Sequence, residues 1–501
     1  MPATTKQNLL VILADEHSPK ALGCAGHPFV HTPHLDALAA RGTRFSAAYT
    51  PSPICVPARA ALATGRELHA MGRYHDNADP YDGALRSWHH AARDAGHEVV
   101  SIGKLHFRGL PGDPSRGLPA DDHGFSEERL AMHVVDGKGD LLSLIRDDTA
   151  QPRKGAAKMS ATAGPGESDY TRYDRDITAA AQIFLRGKAG SAPKQPRDKP
   201  WVVFVSLVTP HFPLIAPPEH FYRYPPEIVG LPKLYAPQDR PTHPAIVDYA
   251  TAIPYDSHVA DIATTQRMMA GYYGLVSFMD EQVGKILACL ADCGLDASTR
   301  VLYASDHGDN VGARGLWGKS VMYEESVGIP MILAGAQVPQ ARVVGTPVSL
   351  TDVAATVLDL LGVAEPPPEG STSLFDIACG AEPDRVVLSE YHASGSREAA
   401  FMLRDGPYKY VRYATYPPQL FDLGADPEEL DDLARDPSNA LLIARMEIAL
   451  RERLGTDPAE IDARVKERQA EILAANGGAE AVRARGDLPY SPPPGVRAAW
   501  S

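Results

Sequence analysis

Residues 9–16, Leu9-Leu10-Val11-Ile12-Leu13-Ala14-Asp15-Glu16, carry six apolar side chains directly into two carboxylates. An uninterrupted apolar run of this length, rich in branched residues, suits a strand buried on both faces of a parallel sheet. Three further stretches repeat the pattern. Glu98 to Ile102 leads to Lys104 and His106, Val202 to Val208 leads to Thr209 and His211, and Val301 to Ala304 leads to Asp306 and His307. Helical patterns separate these runs. Thr32-Pro33 opens one with a cap and a first-turn proline, and Gly42 closes it. Met268, Tyr272, Leu275, Met279, Val283, Ile286 and Leu290 form the apolar face of another. Strands alternating with helices predict an α/β fold with a large, mostly parallel central sheet and helices on both faces. Ligands bind such sheets beyond the carboxyl ends of the strands, so all four polar clusters are expected at one site.

The chain has 501 residues, 44% hydrophobic and 22% charged, which is ample for a large core. A net charge of −14 argues against nucleic-acid binding and against a polybasic membrane tether. No apolar run approaches the roughly 20 residues that span a bilayer. Residues 1–8 lack the features of a secretory signal, so a cytoplasmic location is expected. Five cysteines without a metal-type spacing argue against a disulfide framework, and Cys24, Cys289, Cys293 and Cys379 read as core filler. His27, His31 and His34 are interrupted by Pro28 and Pro33, which speaks against a metal site there.

Glycine (42) and proline (44) concentrate between the elements and mark long loops, of which 147–168 and 210–256 are expected to carry substrate selectivity. A helix over Thr351 to Leu361 ends at Gly362, and Glu365-Pro-Pro-Pro reads as a turn towards a second unit. The predicted organisation is a catalytic domain over 1–375 and a smaller α+β subdomain over 376–501. The latter holds a short antiparallel sheet within 385–425, charged amphipathic helices over 437–482 and a proline-rich tail. Those helices suit either a solvated face or packing onto a second subunit, which leaves a homo-oligomer open.

Cys55 lies in Pro53-Ile-Cys-Val-Pro57-Ala-Arg59, with Pro57 placed like an N1 proline, so the sulfur is expected at a helix N-terminus where donors favour an anion. Cys-x-Pro-x-Arg followed some 250 residues later by Ser305-Asp-His-Gly308 resembles the sulfatase family of the alkaline-phosphatase superfamily, and most closely its choline-sulfatase-like and arylsulfatase branch. Val11-Ile-Leu-Ala-Asp15, Thr32 to Gly42, Gly103-Lys-Leu-His106 and Leu420-Phe-Asp-Leu-Gly-Ala-Asp-Pro427 extend the resemblance over nearly the whole chain. It implies that Cys55 is converted to formylglycine by a maturation enzyme. It also implies that Asp15, Asp306, His307 and an oxygen of residue 55 hold one divalent cation, with Glu16 a further candidate ligand. Oxygen-rich ligation favours calcium; the imidazole leaves manganese open, and the resemblance points to calcium.

The implied reaction is hydrolysis of an alkyl or aryl sulfate monoester through a covalent sulfo-formylglycine, released when the hemiacetal collapses. By motif match, Arg59 polarises the attacking oxygen, and Lys104 and Lys319 face the sulfuryl and leaving-group oxygens. His211 protonates the leaving group, His106 is the base for collapse, and Asn77 and Glu390 contact substrate. A choline-binding cage is not evident after His123-Gly-Phe-Ser-Glu-Glu128, where Arg-Leu-Ala-Met-His133 replaces aromatic residues; Tyr391, His392 or Trp500 are the candidates for a different pocket. The partner is therefore expected to be another small sulfate ester. Two alternatives differ in class: a phosphonate-monoester or phosphodiester hydrolase on the same scaffold, and a non-catalytic metal-stabilised module.

Overall fold

The computed structural model describes residues 7–113, 115, 119–146, 153–189, 199–259, 261–488 and 490–498. Its main sheet has eight strands: β1 (Asn8–Asp15), β2 (Gly42–Phe45), β3 (Val99–Lys104), β4 (Glu127–Met132), β5 (Val202–Pro210), β6 (Thr299–Ser305), β7 (Met331–Ala334) and β8 (Arg342–Val344). Their spatial order is β8-β2-β7-β6-β1-β5-β3-β4. Only β7 runs antiparallel to its neighbours, so the sheet is mostly parallel as the apolar runs require.

Alternation along β1 decides the two faces. Leu9, Val11 and Leu13 enter one core with α2 (Cys55–Thr64) and α5 (Asp352–Leu361). Leu10, Ile12 and Ala14 enter the other with α1 (Pro33–Ala40), α3 (Asp169–Ala189) and the distal half of α4 (Ile262–Asp292). Every position of the predicted α4 face, from Met268 to Leu290, is buried. Gly42 departs from expectation. It does not close α1 but begins β2, where a Cβ would lie 2.3 Å from the Leu333 carbonyl oxygen, so close strand packing is what requires glycine here. Gly362 does end α5, at φ 65°. Loop 147–168 is also more regular than expected, for residues 155–162 form a helical segment.

A second, antiparallel sheet runs β9 (Val387–Tyr391), β10 (Ala400–Asp405), β11 (Tyr408–Tyr413) and β12 (Gln419–Asp422). One face packs through Val387, Met402 and Val411 against Tyr49, Ile54 and Val327 of the larger unit. The other is covered by α6 (Ala440–Leu454) and α7 (Pro458–Ala475) through Met446, Leu450, Ile461 and Val465. These amphipathic helices thus bury their apolar stripe on their own sheet. Among the described residues no helix is long and apolar enough to cross a membrane. All five cysteines are free; Cys289 is buried, but Cys24 and Cys293 are only half-buried and Cys379 is exposed, which corrects its reading as core filler. His27 meets Phe29 edge to face and Tyr273 at a tilt, and none of His27, His31 and His34 joins a convergent ligand group among the described residues.

Candidate active site

The site is organised around α2. Alanines at 58, 60, 61 and 63 favour the helix and let it sink into the sheet, so all 10 of its residues are buried. Ile54 is its extended N-cap and Cys55 its first residue; Pro57 is therefore the third helical position, not the first. Cys55 and Arg59 stand one turn apart on one face, aimed at the ends of β1, β3, β5 and β6.

Arg59 gives four of its five N–H groups to its neighbours. Its Nε donates to Asp306 Oδ2 at 2.8 Å and Nη2 to Asp15 Oδ2 at 2.9 Å, while Nη1 donates to the Lys104 carbonyl and to Ser206 Oγ. It does not line the cavity described below. The guanidinium acts as a clamp that holds two strand-end carboxylates in register. Lys104 Nζ lies 2.5 Å from Asp15 Oδ2. Burial alone would raise Asp15, but the charges of Lys104 and Arg59 hold it well below the usual carboxylate range.

Cys55 Sγ lies 3.1 Å from His307 Nε2, 3.3 Å from Lys319 Nζ and 3.6 Å from Asp15 Oδ1. Burial, with Asp15 adding to it, pushes the thiol up to about 12. Unmodified, this cysteine is a neutral thiol and a poor nucleophile. The ligand atoms of Asp15, Cys55, Asp306 and His307 all fall within 4.8 Å of one another. His307 Nδ1 faces the Gly308 carbonyl at 3.0 Å, which assigns the proton to that nitrogen and turns the Nε2 lone pair towards the carboxylates. Acceptors facing acceptors in a buried site require positive charge between them, so this donor set fits a divalent cation.

Glu16 stands apart from that group. It converges instead with Asp15 and His211, accepts from Lys319 Nζ at 3.0 Å, and keeps Oε1 buried without a partner. Burial pushes its carboxyl up to about 8 against the opposing charge of Lys319. Lys319 is raised well above its ordinary value despite burial, because Cys55, Glu16 and Asp15 surround it. Asp309, which the sequence reading passed over, lies in the same cluster and is raised by burial to about 6.

A cavity of about 170 Å³ opens over this centre, and Glu16, Cys55, Asn77, His106, His211 and Lys319 all reach it. Asn77 Oδ1 accepts from the Val56 backbone N–H at 3.3 Å, which leaves its NH₂ for a ligand. His106 sits at φ 55°, buried, with both ring nitrogens unpartnered, the kind of strain and unmet hydrogen bonding that accumulates at functional sites. Burial, then Lys104, keeps it neutral. His211 is likewise kept neutral, by burial and then Lys319, and its Nδ1 faces the Phe212 carbonyl at 2.7 Å. The Nε2 lone pair therefore looks into the site, 3.4 Å from Glu16. In the resting site His211 is thus a neutral imidazole with Nε2 turned to the cavity, and Lys319 is the charged donor beside it.

Glu390 is not at the cavity. Alternation along β9 turns it to the opposite face from Tyr391, where His69 and His392 bind it at 2.8 and 3.2 Å. Tyr391 does line the cavity, His392 does not, and Trp500 lies outside the described residues. Sequence reading also missed the outer wall, where Arg153 bridges Asp140 at 2.8 Å and Asp487 at 2.9 Å beside Tyr249 and Tyr490. Asp487 and Tyr490 belong to the tail; the one signal there was an aromatic set among prolines.

Comparison with known proteins accords with this geometry. The sulfatase family model matches residues 7–363, well over half of the chain. The chain belongs to the sulfatase family. A model of the C-terminal region of N-sulphoglucosamine sulphohydrolase matches residues 312–456. The sulfatase is 31% identical over 482 residues to a choline-sulfatase of Rhizobium meliloti, covering 93% of this chain and 90% of that one. It is 27% identical over 453 residues to arylsulfatase K of Danio rerio, covering 86% and 80%. A phosphonate monoester hydrolase of Agrobacterium radiobacter superposes with a TM-score of 0.69 at 25% identity, over 90% of this chain and 96% of that chain. The enzyme is accordingly a sulfuric ester hydrolase of alkaline-phosphatase-like fold.

Proposed function

We propose that this sulfatase hydrolyses a small alkyl or aryl sulfate monoester, with Cys55 converted to formylglycine by a maturation enzyme and one divalent cation, calcium in preference to manganese, held by Asp15, Asp306, His307 and residue 55. The carrying observation is the position of Cys55 Sγ: first in α2, within 3.6 Å of His307, Lys319 and Asp15, yet protonated as a thiol. A hydrated aldehyde at this position supplies a nucleophilic oxygen and a route for sulfate release without a second attack at sulfur. A divalent cation supplies Lewis-acid charge beside the sulfuryl oxygens.

The chain's own side chains do the rest. Asn77 and Lys319 bind sulfuryl oxygens, and Lys319, the charged donor nearest residue 55, stabilises the departing oxygen. His106 and the Nε2 lone pair of His211 take protons from residue 55. Arg59 and Lys104 hold Asp15 and Asp306 in place.

The outer wall sets the leaving group. Phe212, Tyr249, Tyr391 and Tyr490 present rings, while Asp140 and Asp487 share the single positive charge of Arg153. The rings suit an alkyl or aryl leaving group through apolar contact.

Mass spectrometry of the tryptic peptide Phe45 to Arg59 from the native host tests the conversion; an intact thiol throughout the pool defeats it. Likeness to a phosphonate monoester hydrolase supports a second reading. Rates with aryl sulfate, choline sulfate, phenylphosphonate and a phosphodiester separate the two, and the expected order by kcat/KM places aryl sulfate first.

A further inference from the structure

Away from the active site the described residues contain one more convergent set of metal-ligating groups. His123 Nδ1 lies 2.8 Å from Glu128 Oε1, and His133 Nε2 lies 3.2 Å from Glu128 Oε2. The three ligand atoms fall within 4.8 Å of one another, and the two imidazole centroids are 5.4 Å apart. Hydrogen bonding does not complete either ring. The remaining nitrogens, His123 Nε2 and His133 Nδ1, are buried and have no partner.

Local backbone structure explains how two histidines reach one carboxylate. Glu128 lies in the edge strand β4 and His133 just beyond its end. Five residues apart, they would face opposite ways in a regular strand. From Ile102 to Lys104 of β3, however, the partner advances from Arg129 to Met132, three residues against two. The extra residue reverses the alternation and returns His133 to the face of Glu128. Leu130 carries this bulge at φ 49°, a left-handed conformation that a leucine adopts only under constraint, and its carbonyl accepts a hydrogen bond from Tyr173 Oη.

We propose that His123, Glu128 and His133 form a second metal site, for a borderline divalent cation of the zinc type. Two imidazoles and one carboxylate on a partly exposed edge supply three ligands and leave a fourth position to water, the donor set and coordination number that zinc prefers. The active-site group, built on two aspartates, suits a harder cation, so the two sites select by chemistry. The second site ties the end of the loop after β3 to the edge strand. His106 is anchored through its N–H to the Met132 carbonyl, and Val134 lines the cavity, so the segment steadied by the metal is one that shapes the active site.

Titration of the full-length protein, preloaded with excess Ca²⁺, tests this by calorimetry with Zn²⁺ and by visible absorption with Co²⁺. One equivalent of Zn²⁺ is expected to bind in the presence of Ca²⁺. His133→Gln is expected to weaken it by about tenfold or more. Asp306→Asn, which damages the active-site group, is expected to leave it unchanged. Glu128→Gln serves as a second variant should His133→Gln fold poorly, with the same weakening expected. Equal Zn²⁺ affinity in wild type and both variants, no Zn²⁺ uptake at all, or loss of the equivalent in Asp306→Asn overturns the proposal.

Discussion

Two buried clusters of charge in this protein are built from the same residue types and solve opposite problems. At the seam between the two sheets, Lys409 pairs with Glu324 at 3.0 Å and Glu429 at 2.6 Å, and Arg314 pairs with Glu325 at 3.0 Å. Both carboxylate oxygens of each of these glutamates are engaged, the second oxygens of Glu324 and Glu429 by Tyr49 Oη and the Glu324 N–H. In the active site Glu16 Oε1 and both nitrogens of His106 lack hydrogen-bond partners. The carboxylates of the seam are saturated, with only Arg314 Nε of its named groups left over, and they join two units; the crevice keeps capacity in reserve for substrate and cation, which costs stability there.

That contrast breaks most sharply at residue 55. Cys55→Ala should lower kcat by about 10⁴-fold or more while the melting temperature holds, as steady-state kinetics and circular dichroism would show. Unchanged activity would move the nucleophile elsewhere. At the seam the reverse is expected. Lys409→Met strands Glu324 and Glu429 and should cost about 3–5 kcal/mol in urea unfolding, with kcat per folded molecule preserved. A large fall in kcat instead would mean the seam also positions the site.

Lys319→Ala should reduce kcat/KM by about 10²–10³-fold with little loss of stability, because it donates to the reaction more than to the fold. An equal loss in stability would erase the distinction between the clusters.

The smallest effect is on pH. Burial depresses His17 to about 4 and His75 to about 3, below the unfolded value near 6.5, so the unfolded chain takes up their protons first. Their contribution to stability is complete above pH 6.5 and declines as pH falls below it. The loss should be about 1 kcal/mol for each on going from pH 6.5 to 5.5. Denaturant midpoints across that range, compared with His75→Gln, would check it.

Local pattern carried much of this in advance. Parallel strands buried on both faces must be apolar throughout, which made β1, β3, β5 and β6 visible, and their polar successors lie together because parallel strands end on one side. Helical spacing marked α4 for the same reason. Facing and pairing were harder to read. Glu390 lies on the far side of β9 from the cavity, bound by His69, and Arg59 clamps Asp15 and Asp306; these partners lie from 44 to 321 residues away along the chain. The bulge at Leu130 leaves no mark in composition, since the neighbouring strand imposes it.

The sequence alone determined the α/β architecture and membership of the sulfatase family, because strand burial and the Cys-x-Pro-x-Arg spacing are local properties of the chain. Tertiary structure alone decided which nitrogen of His211 faces the site, that Arg59 clamps carboxylates, that Arg153 joins Asp140 to Asp487 on the outer wall, and that His133 meets Glu128. Each of these is set by backbone geometry, sheet register and the desolvation that packing imposes, which no residue pattern states.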